Sequence, residues 1–339
     1  MAKYGKRNTR RGRGMKKIEP AVMTLSFGVP SSAAGVTSFI DLSQVASIVN
    51  RRFYRQGLNW AVGGFKFLGT IAGVVQVSKL PNTWVMANAW EKGMRAWLKM
   101  TNDALEENES TRARFQDFKI YADADHFQLG YGQNLLPTSG FNAPAGTGDF
   151  TAGEWEPSSI HVPNSTVGTT NEFAIKAVGE NYNGAFLQPV VSLIEGYAAS
   201  RALPYEVDPN VPLDSDDTDG NNPQNWITAI FNEGTDQSHE VLEDNVFENN
   251  KAPYPFEGDG AHIDTMYPNG ANQAPYLETH DLEFITSTTI GGTTRLKGGN
   301  FPCGLIRIDA QCDVEMLQLQ IDLVPGNHRG YLAEPMTEM

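Results

Sequence analysis

The sequence predicts a mainly β protein. Many short runs rich in Val, Ile, Thr, Phe and Tyr are separated by turn residues, and 33 Gly and 19 Pro supply those turns, the pattern of strands closed by chain reversals. With 339 residues and 40% hydrophobic content, the chain can bury one large core or two modest ones. Cys303 and Cys312 are the only cysteines. They are too few for a disulfide scaffold and read as buried thiols or as the mark of a reducing compartment.

Taken in order, Ala21 to Val29 alternates as a first strand and Val36 to Leu42 as a second. Asp41 to Phe53 follows as a short helix, with Val45, Ile48 and Val49 on one side and Arg51, Arg52 and Arg55 at its end. Phe65 to Lys79 reads as one long strand bent or bulged at Gly69 and Gly73. The strongest helix runs from Asn88 to about Glu107: Trp90, Met94, Trp97, Leu98, Thr101 and Leu105 recur at helical spacing, opposite Glu91, Lys92, Arg95 and Lys99. Its two-Trp stripe fits packing against a sheet or a neighbouring subunit, with a ligand platform as the alternative. Arg114 to Tyr121 and Glu172 to Val178 read as strands, and Tyr131 to Gly153, rich in Gly, Pro, Asn and Thr, as a long exposed loop. Phe186 to Ala198 is compatible with helix or strand. Residues 206–273 are the most acidic and least regular part, an insertion with small elements of its own or a surface projection. Glu283 to Thr289, Leu305 to Asp309 and Met316 to Val324 return to the β pattern.

Charge divides the chain unevenly. Residues 1–20 hold Lys3, Lys6, Arg7, Arg10, Arg11, Arg13, Lys16 and Lys17 against Glu19, a balance of +7, whereas the whole chain is −14 and the remainder therefore −21. This leader lacks the apolar residues that could offset the entropy of ordering, so it is expected to be disordered when free. Its guanidinium and ammonium groups suit phosphate oxygens, which predicts nucleic-acid binding that is largely sequence-independent and salt-sensitive. Tyr4 is its one aromatic residue, so electrostatics outweigh base stacking. A nuclear-import signal or a ribosome- or membrane-directed tail are the other uses of such a segment. The leader has no apolar stretch of about 7–15 residues as a signal peptide requires. No later window reaches the roughly 18 uninterrupted apolar residues of a membrane span.

Motifs for chemistry are sparse. Ser215 to Gly220 resembles the start of a calcium loop, but its twelfth position is Trp226, where a bidentate Glu is needed. The six His residues and two Cys show no metal-ligand spacing. Asp123-Ala-Asp125-His126 is either a small acid/base or metal group or a polar turn. Phosphate-loop and nucleophile-elbow patterns are absent, so neither a catalytic site, a metal nor a cofactor is expected.

The leader KYGKRNTRRGRGMKK, the segment NTWVMANAWEKGMRAW followed by RFQDFKIY, and the ending FPCGLIRID with LQLQIDLVPGNHRGYLAEPM resemble coat proteins of small circular, replication-protein-encoding single-stranded DNA viruses, the smacovirus-like and environmental groups among them. The resemblance implies a single eight-stranded jelly-roll sandwich over 21–339, carrying the helix and the 206–273 insertion. It also implies self-assembly into an icosahedral shell, with the arm at 1–20 directed inward onto single-stranded DNA. Arg51, Arg52 and Arg55 are further candidates for the inner surface. The expected partners are other copies of the chain, the genome and a host receptor, without a membrane. The expected location is the virion, and the host nucleus or cytoplasm during assembly. Two readings compete: a carbohydrate- or receptor-binding sandwich, and a nucleic-acid-processing enzyme using Asp123 and Asp125.

Overall fold

The computed structural model describes residues 20–106, 110, 116–138, 150–163, 170–179, 190–199, 226–231, 276–288 and 290–339. The strands are β1 (Thr24–Pro30), β2 (Val36–Asp41), β3 (Leu58–Leu68), β4 (Gly73–Lys79), β5 (Ser159–Pro163), β6 (Thr170–Lys176), β7 (Val190–Ser192), β8 (Glu278–Ile285), β9 (Thr293–Phe301), β10 (Leu305–Cys312), β11 (Met316–Leu323), β12 (Pro325–Gly326), β13 (Gly330–Tyr331) and β14 (Ala333–Pro335). The helices are α1 (Leu42–Asn50), α2 (Trp84–Leu105), α3 (Ala124–Leu129), α4 (Leu193–Ala199) and α5 (Trp226–Phe231).

Two antiparallel sheets form a sandwich, as the composition predicts. One has the order β1-β11-β3, with β9 and β14 both pairing with β3, and the other has the order β2-β10-β4-β8. The clearest sequence signal, MLQLQIDL in β11, gives strict alternation: Leu317, Leu319, Ile321 and Leu323 are buried and their neighbours half-buried. Facing them from the other sheet are Val75, Val77, Ile306 and Ile308 in the same cluster of buried side chains. Trp60 and Phe27 complete that core without measurable exposure. A period of two places one set of side chains between the sheets, which is how each strand contributes to burial.

The chain changes sheet at most connections. The exceptions are β4 to β8, which are neighbours, with Lys79 paired to Glu278, and β11 to β14, which both belong to the first sheet. The chain thus leaves the β4–β8 ladder after Lys79 and rejoins it beside that point at Glu278. The described parts of this insertion build a second core, in which α2 packs with α4, α5 and the sheet β5-β6-β7. Phe39, Leu305 and Met336 of the sandwich join it. Gly93 lets α2 and α4 approach, since a Cβ there would lie 2.3 Å from a Leu193 methyl.

Helix α1 starts where Asp41 accepts hydrogen bonds from the Ser43 and Gln44 amides at 2.8 and 3.2 Å, a side-chain N-cap. Helix α2 is capped by Thr83 and starts at Trp84, four residues before the expected boundary. Several expectations require correction. Phe65 to Lys79 is two strands, β3 and β4, in opposite sheets, because the chain crosses over at 69–72. Of Arg114 to Tyr121, the described residues 116–120 form no strand, and only Tyr121 makes a bridge, to Lys176. Phe186 to Ala198 holds both alternatives in its described part, β7 and then α4. The loop at 131–153 opens with a 3-10 turn at Tyr131–Gln133. Strands β5 and β9 and the first half of β3 were not expected. Apart from α5, the insertion 206–273 lies outside the described residues.

Candidate nucleic-acid interface

The predicted arm residues Lys3, Lys6, Arg7, Arg10, Arg11, Arg13, Lys16 and Lys17 lie outside the described residues, but the structure places the root from which they extend. Arg52 Nη1 donates to the Pro20 carbonyl at 3.1 Å. The Val22 amide donates to Asn50 Oδ1 at 3.1 Å, and the Val22 carbonyl accepts from the Tyr331 hydroxyl at 2.7 Å. Asn50 Nδ2 in turn donates to that hydroxyl at 2.7 Å. The root is therefore fastened to the C-terminal end of α1 and to the β12–β13 hairpin.

The local sequence explains why cations collect there. Helix α1 ends when Arg51 takes the left-handed conformation, φ 52°, and its amide closes on the Ser47 carbonyl. The end of a helix carries partial negative charge, which favours the cations beside it. Tyr54 is then caught by Ser47 Oγ at 2.9 Å, which brings the exposed Arg55 back toward the fold, where its Nε donates to the Gln116 carbonyl at 3.3 Å. Arg329, also left-handed at φ 49°, donates to the Phe53 carbonyl and accepts from the Tyr54 hydroxyl at 3.0 Å through its own carbonyl. The Lys119 ammonium sits 4.7 Å from the Trp155 ring centre, and Trp155 lies 6.1 Å from Phe53.

Of these five cations, Arg51, Arg52 and Arg55 were singled out in the sequence. Lys119 and Arg329 were not, because they are remote in the chain and meet the others only through folding. The one hint was the turn residues of PGNHRG around Arg329.

Beside the patch lies a cavity of about 500 Å³. Trp90, Met94, Trp97 and Leu98 of α2 line one part of it, Phe53 and Phe118 add aromatic surface, and Arg55, His328 and Arg329 bring the polar groups. The α2 stripe therefore serves packing, with Trp97 5.7 Å from Phe118, and also lines a cavity. Gly57 is required here, since a Cβ would sit 2.2 Å from the Trp90 ring. The Trp90 indole N–H is buried without a hydrogen-bond partner among the described residues. Asp117, also in the lining, accepts from the Gln56 amide at 3.2 Å. Burial pushes its carboxyl up to about 7, against the pull of Lys119.

Behind the cavity, a buried polar network joins the two cores. Asp41, with no exposure, accepts through Oδ2 from Gln56 Nε2 at 3.0 Å and from Trp155 Nε1 at 2.9 Å. Burial pushes its carboxyl up and these bonds pull it down. Gln56 acts toward 116–120 as a neighbouring strand would: its Oε1 accepts from the Ile120 amide at 2.7 Å, and its Nε2 donates to the Ile120 carbonyl at 3.2 Å.

Asp123, Asp125 and His126 do not converge. Both carboxylates hold Arg307 Nη1 at 2.7 Å, and Asp123 caps α3 by accepting from the His126 amide at 2.9 Å. His126 turns into the core, stacked 4.4 Å from Phe39. Its Nδ1 accepts from the Ala122 amide at 3.0 Å and its Nε2 contacts Asn134 Oδ1 at 2.8 Å, a pattern that fits the neutral ring protonated on Nε2. Burial pushes its pKa down to about 4. This part of the sequence is thus a cap and an ion cluster, with the imidazole in the core. Cys303 and Cys312 are buried free thiols.

Among the described residues, no group of three or more His, Cys, Asp or Glu could hold a metal ion, and no helix is long and apolar enough to cross a membrane. No protein-family model matches the chain, and neither a curated protein nor a solved structure matches it.

Proposed function

We propose that the protein is a coat protein whose subunits assemble into a closed icosahedral shell and package single-stranded DNA through the basic arm. The observation that carries this reading is the arm root, which emerges among Arg51, Arg52, Arg55, Lys119 and Arg329. The patch adds its cations to the +7 of residues 1–20, on a chain whose remainder is −21. Phosphates are drawn to those cations and repelled by the remainder, which orients every subunit the same way toward the strand. The connectivity supports a jelly roll: eight strands in the orders β1-β11-β3-β9 and β2-β10-β4-β8, two antiparallel sheets of the kind that such coats use. Closed symmetry would gather many arms into one cavity and multiply their local charge. The choice of DNA as cargo rests on the resemblance of the sequence to coats of that type.

Electron microscopy of the recombinant full-length chain, beside a chain lacking 1–17, tests the reading. Regular shells are expected from both, with nucleic acid only in the first. A discrete monomer or small oligomer, or equal nucleic-acid content in the two preparations, would overturn it.

A further inference from the structure

The cavity beside the arm root has a composition that packing alone does not require. Its volume of about 500 Å³ falls among small-ligand sites and has room for one nucleotide. Apolar rings from Phe53, Trp97 and Phe118 line it together with two guanidinium groups. Arg55 and Arg329 are each anchored by one N–H on a backbone carbonyl. A guanidinium has five donors, so this anchoring sets its position and leaves the fork able to take a phosphate. The lining residues Gln116 and Asp117 can complement the polar edge of a base.

We propose that this cavity binds one nucleotide of a single-stranded nucleic acid, its base against Phe53, Trp97 and Phe118 and its phosphate on Arg55 and Arg329. The proposal deepens the packaging reading and rests on it for the identity of the polymer. An apolar ligand would leave both guanidinium groups unmatched, and an inorganic anion would leave the aromatic surface unused. A nucleotide uses both, in the way that single-strand sites combine ring stacking with a cationic track. The arm root lies next to the cavity, with Arg329 held on Phe53 and Arg52 on Pro20.

The test is equilibrium dialysis of the full-length chain with each of the four deoxynucleoside monophosphates, and separately with deoxynucleosides and with inorganic phosphate. Saturable binding of at least one monophosphate is expected, with a Kd of about 1 mM or tighter. The double variant Arg55→Gln, Arg329→Gln should weaken it about tenfold, and Trp97→Ala should do so by a similar factor. Both arginines are exposed, so the double variant keeps the test decisive should Trp97→Ala fail to fold. Absence of saturable binding, binding unchanged in the double variant, or phosphate binding as tightly as the monophosphates would each overturn the proposal. The chain lacking 1–17 separates the two readings. Monophosphate binding should persist there while packaged nucleic acid is lost. Particles that package normally without any monophosphate binding would refute the cavity site alone.

Discussion

Gln56 occupies the position on which both cores depend, since one buried amide bonds Asp41, Ile120 and the Tyr131 hydroxyl. Gln56→Ala would leave the buried Ile120 amide without its acceptor and take one donor each from Asp41 and the Ile120 carbonyl, and should cost about 2–4 kcal/mol in chemical denaturation. Nearby, two buried groups give opposite responses to pH. His126 has a folded pKa of about 4 against an ordinary value near 6.5, so the unfolded chain takes up a proton that the folded chain refuses. Stability is then lost as pH falls from about 6.5 to about 4, by roughly 3 kcal/mol in all. Asp117, raised to about 7, contributes stability that is fully present below the ordinary carboxyl value near 3.8 and is lost as pH rises through about 7. The two largely offset one another across this window. His126→Gln should therefore make stability fall with rising pH, and Asp117→Asn should make it rise, both read from thermal midpoints between about pH 4 and 7.

At the scale of elements, α2 is seated through Gly57, whose missing Cβ leaves room for the Trp90 ring. Gly57→Ala should displace α2 and lower stability by about 1–3 kcal/mol, visible as a reduced thermal midpoint and altered Trp fluorescence. How far each element was legible follows from where its hydrogen bonds go. Strand β11 was plain because one face is buried and its alternation is unbroken. The split between β3 and β4 was hidden because the crossover at Gly69-Thr70-Ile71-Ala72 carries no charged or proline punctuation. Residues 116–120 alternate like a strand but are held by Gln56 and, at Lys119, by Ser158, side chains that no local pattern can anticipate. Three cations of the patch were readable from the end of α1. Lys119, Arg329 and the cavity depended on contacts between segments far apart in the chain.

Across the whole molecule, the edge strand β8 leaves Leu282 and Phe284 exposed, at 44% and 65%. Exposed apolar side chains on a sheet edge invite association with another copy. In a shell-forming protein, Leu282→Glu with Phe284→Glu should abolish particles in sedimentation while leaving circular dichroism unchanged. The arm should make binding of single strands steeply dependent on ionic strength. About seven engaged charges predict a slope near −5 in a plot of log affinity against log salt, and the chain lacking 1–17 should give a much shallower one.

The pairing of Lys79 with Glu278 gives this architecture the character of a cassette. Sequence inside it can drift, lengthen or be exchanged without shifting the register of any sandwich strand, because both ends of the cassette meet at one rung of the β4–β8 ladder. Replacements must still present an apolar underside to Phe39, Leu305 and Met336 and keep Ile120, Tyr131, Trp155, Asp123 and Asp125 as partners of Gln56, Asp41 and Arg307. Within those requirements, the insertion is a natural place to graft a foreign epitope.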